Sequence, residues 1–182
     1  MKFTETNLKD AYLVDLEPRG DERGFFARTM CCDEFDEVGL DSNFVQQNTS
    51  FSAQRGTLRG LHFQKQPHGE DKLVRCLKGA IVDVIVDIRK DSSTYLQHQM
   101  FELTSSNRLQ LYVPKGFAHS FMTLEDDVEV SYLVTARYSP ASEDGLRFDD
   151  EEIGIKWPLP VTVMSDKDAN WPLIQARSEP LY

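Results

Sequence analysis

The strongest constraint in this chain lies between residues 44 and 135, where strand-like runs follow one another at short intervals. The runs are FVQQNTSF, TLRGLHF, KLVRCLK, AIVDVIVDIR, RLQLYVP, FAHSFMTL and VEVSYLVT. Turn signals separate them: PHGED, Lys78-Gly79, RKDSST, PKGF and EDD. β-branched and aromatic side chains favour extended backbone, and Gly, Pro, Asn and Asp punctuate it. Many short strands at this spacing predict an all-β sandwich or barrel. Two short helices are expected at its periphery. One lies near Asp33 to Gly39 in CDEFDEVG and ends at a glycine. The other starts near Ser165 in SDKDANW, where the serine hydroxyl can cap it. No repeat, low-complexity tract or Gly/Ser linker divides the sequence, so a single domain over residues 1–182 is expected.

Composition narrows the function classes. A hydrophobic fraction of 40% is enough for a core. The net charge of −10 argues against a general nucleic-acid binder, because nothing neutralises a phosphate backbone at large. It leaves room for a local basic pocket holding one small anion. No apolar run reaches membrane-spanning length, and the opening MKFTETNLKDAYLVDLEP carries no secretory apolar stretch. The cysteines, Cys31, Cys32 and Cys76, are odd in number and form no CxxC pair, which fits a cytoplasmic setting. Cys76, within LVRCL, reads as a buried, inert thiol.

Period-two alternation then sorts side chains by face. In DVEVSYLVT, Tyr132 shares the apolar face of Val128, Val130 and Val134. In KLVRCLK, Lys72 lies on the side of Val74 and Cys76, where an ammonium is costly unless the cavity is wet or anionic. Asp83 shares a face with Ile81 and Ile85, while Val82, Val84 and Val86 make the opposite face apolar too. That strand is therefore expected inside a sandwich or at a subunit contact. His119 lies on the side of Phe117 and Phe121.

The stretch GTLRGLHFQ poses a geometric problem. Strict alternation puts Arg59 and His62 on opposite faces. They share one face only if the strand slips by a residue, and Gly60 is the place for a bulge. His62, Lys72, Asp83, His119 and Tyr132 together supply a base, a cation, a carboxylate and a phenol for one cavity. Barrel metal sites use closely spaced histidines, typically HxH; here His62 is followed by Phe63 and Gln64, and His68 falls in the polar PHGED turn.

Taken in series, DERGFF (21–26), LRGLHFQ (58–64), KLVRC (72–76), VDIRKDSSTY (86–95), VPKGFAHSF (113–121), GIKWP (154–158) and SDKDA (165–169) resemble the dTDP-4-dehydrorhamnose 3,5-epimerases. The resemblance spans nearly the whole chain in order. It implies a cupin-type jelly roll acting as a homodimer, without metal or other cofactor, on a nucleotide-linked 4-keto-6-deoxy sugar. It implies His62 as base, oriented by Asp168 with Asp83 nearby, Tyr132 as acid on the opposite face of the sugar, and Lys72 at the enolate oxygen. Arg59 and His119 would line the same pocket, with Arg59 near the diphosphate. Arg23, Gln47, Asn48, Glu143 and Lys167 match positions that hold nucleotide or sugar, and Tyr138 matches an aromatic that stacks on the base. Arg23 would reach across the dimer. Two departures concern the grip on the nucleotide: Arg28 stands where relatives often carry glutamate, and the segment from Gln46 to Arg59 is one residue longer.

The chemistry explains why such groups are needed. A C–H next to a ketone is acidic only because the anion delocalises onto oxygen, so the site must offer a base at carbon and a cation at oxygen. An acid on the far side makes the outcome an inversion. Imidazole suits the first role and a carboxylate partner fixes its tautomer. A phenol, protonated at neutral pH, suits the last. Purely structural explanations exist for each residue: Tyr132 as core, Lys72 snorkelling to an edge, Asp168 as a helix N-terminal acid, Arg23 as a surface ion pair and Tyr138 as a loop aromatic. Two other functions fit the same pocket, a non-catalytic binding module and a metal-dependent cupin enzyme.

Overall fold

Residues that alternate between apolar and polar can bury one face of a strand, and the chain uses them to build two facing antiparallel sheets. The computed structural model describes residues 1–182. The first sheet orders β1 (Lys2–Glu5), β2 (Tyr12–Asp15), β10 (Gln110–Val113), β7 (Lys72–Lys78), β12 (Val128–Val134) and β5 (Gln46–Ser52). The second orders β13 (Glu143–Gly145), β6 (Leu58–Gln64), β11 (Phe117–Thr123), β8 (Ala80–Asp87) and β9 (His98–Thr104). All seven runs read from sequence are strands. The strands missed there are three or four residues long, or, like β9, begin with polar residues such as His98 and Gln99.

Between the sheets, Val74, Cys76 and Val130 meet Ile81, Ile85 and Phe121. Burying a side chain of this kind contributes about 1.5–3 kcal/mol. The Cys76 thiol lies in this layer, and burial pushes it up to about 11, which makes it inert. The second apolar face of β8 is covered by the chain's own C-terminal third: Val84, Val86 and Ile88 pack with Leu146, Ile153 and Ile155. Of the two expectations for this strand, the buried interior is realised and the subunit contact is not.

Two short helices sit outside the sandwich. α1 (Cys32–Glu37) stops short of Gly39, which adopts a φ of 75°. Its Phe35 packs on Leu73 and Tyr112 at the outer side of the first sheet. α2 (Asp166–Ala169) is capped by the Ser165 side chain, which accepts a hydrogen bond from the Asp168 N–H, as expected. A separate hairpin, β3 (Arg19–Asp21) with β4 (Gly24–Phe26), pairs only with itself. It leaves Phe25 51% and Phe26 71% exposed.

Candidate active site

The question raised by Arg59 and His62 is answered by the register of β6 against β11. His62 lies opposite His119, and Arg59 lies opposite Phe121. Three steps along β6 thus match two along β11, so β6 carries one extra residue at Gly60–Leu61. Gly60 sits at a φ of 114°, and a Cβ there would lie 2.5 Å from the His119 carbonyl oxygen and 2.9 Å from Ser120 Cα. Only glycine fits. The slip turns Leu61 to the outer cluster and brings Arg59 and His62 into the same cavity. It also gives the Gly60 N–H an unusual partner, Asp168 Oδ2 at 3.1 Å.

That cavity measures about 680 Å³ and opens between the sheets. His62 and His119 stand on the five-stranded wall; Lys72 and Tyr132 stand on the six-stranded wall. The imidazole and the phenol therefore face the hollow from opposite sides. Val163 and the loop that follows run beside the start of β6, where Thr57 bridges to Val163 and the Leu58 N–H donates to the Val163 carbonyl. This docking carries α2 to the cavity and sets Asp168 against His62.

His62 Nε2 lies 2.6 Å from Asp168 Oδ1. Burial works to raise the Asp168 carboxyl, but the hydrogen bonds from His62, Gly60 and Ser165 and the attraction of His62 outweigh it and hold the group below its ordinary range. Asp168 is ionised, so Nε2 carries the ring proton and Nδ1 keeps the basic lone pair. On the other wall, burial pushes the Tyr132 phenol up, Glu70 adds to this, and Arg59 partly opposes it. Tyr132 is therefore a protonated acid at neutral pH. Lys72, only 8% exposed, is neutralised by Glu70 at 3.2 Å. Arg59 is tied to β5 through Ser52 Oγ and the Phe51 carbonyl.

At the rim, Glu143 accepts from Tyr138 Oη at 2.7 Å and pairs with Lys167 Nζ at 2.5 Å. Burial raises the Glu143 carboxyl, yet these two partners carry it below its ordinary range. Asn48 lines the same cavity.

Two expectations need correction. Gln47 points away from the cavity and bonds Ser131 Oγ at 3.1 Å; alternation along β5 turns Gln46, Asn48 and Ser50 inward instead. Asp83 does not approach His62. It is wholly buried behind His119, whose Nε2 lies 2.9 Å from Asp83 Oδ2, a diagonal cross-strand contact. Arg23, expected to reach across a dimer, has its guanidinium 85% exposed on the hairpin, where it pairs with Asp21. Glu70 is a cavity residue that the sequence reading missed, because the PHGED turn reads as solvated. The signal was the Lys72 two residues on, which needs a buried anion. Arg28, the departure at the usual glutamate, pairs with Glu34 at 2.6 Å. No three His, Cys, Asp or Glu side chains converge as a metal-ligand set, and no helix is long and apolar enough to cross a membrane.

Comparison with known proteins agrees with this geometry. The family profile described as dTDP-4-dehydrorhamnose 3,5-epimerase matches residues 5–176. A Methanothermobacter thermautotrophicus protein of that name is 43% identical over 100% of this chain and 97% of its own length. The crystal structure of the Bacillus anthracis dTDP-4-dehydrorhamnose 3,5-epimerase with TDP and PPi bound is 45% identical. It superposes with a TM-score of 0.92, covering 95% of this chain and 99% of that one. A Legionella pneumophila epimerase in complex with dTDP-4-keto-L-rhamnose is 38% identical with a TM-score of 0.90, covering 96% and 93%. With a match that runs through every element of the cavity, the chain belongs to the dTDP-4-dehydrorhamnose 3,5-epimerase family.

Proposed function

We propose that the protein inverts C3 and C5 of dTDP-4-dehydro-6-deoxy-D-glucose to give dTDP-4-dehydro-L-rhamnose. One observation carries the reading: an Asp168-held imidazole and a protonated phenol occupy opposite walls of one cavity. His62 takes the proton beside the keto group, and the C–H electrons move to the keto oxygen as an enolate. The Lys72 ammonium stabilises that oxygen. Tyr132 delivers a proton to the other face of the carbon, and the enolate returns to the ketone with the centre inverted. Solvent then restores the phenol and removes the proton from His62. Repetition at the second carbon completes the reaction, and neither step calls for a cofactor.

Arg59 and Lys167 supply positive charge for the diphosphate, and a guanidinium can pair with it bidentately. Gln46 and Asn48 hydrogen-bond sugar or nucleotide from β5. Tyr138, held by Glu143, offers its ring to the base. His119, fixed by Asp83, lines the sugar end. The single domain works as a homodimer in the cytoplasm, with the β3–β4 hairpin of each subunit presenting Arg23 and its two exposed phenylalanines to the partner. The hairpin's exposed apolar surface supports this arrangement. Product NMR after incubation with dTDP-4-dehydro-6-deoxy-D-glucose tests the reading. Inversion at both carbons is expected; tight binding with unchanged substrate would leave only a binding module, and inversion at C3 alone would narrow the activity.

A further inference from the structure

We infer that Trp171 is a positioning residue that holds His62 and Asp168 in register from outside the cavity. The inference rests on the epimerase reading of that pair. Trp171 is not part of the cavity wall. Its indole stands edge-on to His62, with ring centroids 6.5 Å apart and planes at 74°. Aromatic rings attract each other in this arrangement.

The niche that receives the indole exists because of one glycine. Gly145 on β13 lies directly opposite His62 on β6. A Cβ at 145 would overlap the Trp171 ring and sit 2.6 Å from the Leu61 carbonyl oxygen. The indole thus fills the place of a side chain beside the base.

The wedge has a second attachment. Trp171 follows α2, the four-residue helix that carries Asp168. A single turn of helix is not stable by itself, so its place must come from what it packs on. Asp168 is fixed from within by Ser165 and Gly60. Trp171 pins the chain just after it to β13 and β6. Lys167 Nζ lies 5.5 Å from the Trp171 ring centroid while it bonds Glu143, so the indole also steadies the rim.

The indole is not placed there for its polar group. Trp171 Nε1 is buried without a hydrogen-bond partner, which works against stability. Its flat bulk is what the niche uses. Without it, the His62 ring and the Asp168 carboxylate gain freedom on the side away from the substrate, and a misplacement of about 1 Å can lower a rate roughly 100-fold.

Trp171→Ala, Trp171→Leu and Trp171→Phe test this. Each is assayed for deuterium uptake by the 4-keto sugar in D2O, for kcat and KM, for dTDP affinity and for melting temperature. Trp171→Phe keeps the flat wedge and loses the orphan N–H; it should retain wild-type kcat and melt no lower. Trp171→Ala should lose roughly ten- to hundred-fold in kcat and in deuterium uptake with KM and dTDP affinity within two-fold. If the alanine variant does not fold, Trp171→Leu, which keeps bulk but not flatness, decides by the same split. Normal kcat with a lowered melting temperature would make Trp171 mere core and overturn the inference. So would equal losses of dTDP affinity and kcat. Failure of the wild-type protein to exchange any sugar proton would instead overturn the epimerase reading, a result read separately from the variants.

Discussion

Asp168 and His62 are 106 residues apart in sequence and 2.6 Å apart in space. The contact exists because a one-residue slip in β6 turns His62 to the cavity and frees the Gly60 N–H to bind the same carboxylate. A tautomer fixed in this way should be sensitive to loss of charge at Asp168. In Asp168→Asn the amide can donate to Nε2 and favour the wrong ring form. The expected outcome is a fall in kcat of about 10²–10⁴-fold with little change in KM, read by steady-state kinetics.

Tyr132 stands on the other wall and should act only on the return of the proton. Tyr132→Phe is expected to lose net inversion by about 10²–10⁴-fold while proton loss at the first carbon persists. Comparison of deuterium uptake with product formation separates the two. Wild-type inversion in this variant would remove Tyr132 from the mechanism.

The alkaline side of the pH profile follows from the same residue. Burial, with Glu70, places the Tyr132 phenol above its ordinary 10.0. The acid form is therefore present through neutral and mildly basic pH, and kcat should not lose this group until the pH exceeds 10. An activity loss between pH 8 and 9.5 that Tyr132→Phe abolishes would contradict this placement.

On the acid side, Asp87, Asp144 and Asp168 are all held below their ordinary 3.8 by hydrogen bonds and ion pairs that outweigh burial. A carboxyl lowered in the fold adds stability that is fully present above 3.8 and is lost as pH falls through the folded value. Chemical denaturation should give stability that these groups hold steady from pH 7 to about 4 and release below 3.8. Asp144→Asn strands the nearly buried Arg177 guanidinium, its partner at 2.9 Å, and should cost about 3–5 kcal/mol at pH 7. The variant should also lose less on acidification than the wild type.

The hairpin gives a test of the dimer. If Arg23 serves the partner's cavity, Arg23→Ala and His62→Ala subunits complement each other when mixed and re-equilibrated. In a mixed dimer, one cavity has both an intact His62 and the partner subunit's intact arginine. Equal mixing should restore roughly a quarter of the wild-type sites. No gain over the separate variants would contradict a role for Arg23 in the partner's cavity.

Much of this was legible in the sequence because period-two alternation is a local rule. It placed Tyr132 and Lys72 inward and made Cys76 core. It failed where a local rule must fail. Arg59 and His62 share a face only through a bulge, which depends on the neighbouring strand's register. Gln47, matched through the resemblance, turns away while its neighbour Gln46 lines the cavity, because adjacent glutamines differ only in phase and phase is set by pairing with β12. The resemblance puts Asp83 near His62, yet it serves His119, because the order of strands in the sheet, with β11 between β8 and β6, is not written in any one segment. Trp171 is invisible for a related reason: it matters through His62, which a long connection brings to it. Glu70 is hidden differently, because its turn reads as solvated although Lys72 is two residues on.

The most direct measurement is solvent exchange. The wild-type protein is incubated with dTDP-4-dehydro-6-deoxy-D-glucose in D2O, and the sugar is examined by NMR and mass spectrometry. Deuterium at both C3 and C5, abolished by His62→Ala, is the predicted result. Incorporation no greater than in the enzyme-free control would contradict the assignment of His62 and Tyr132 as base and acid.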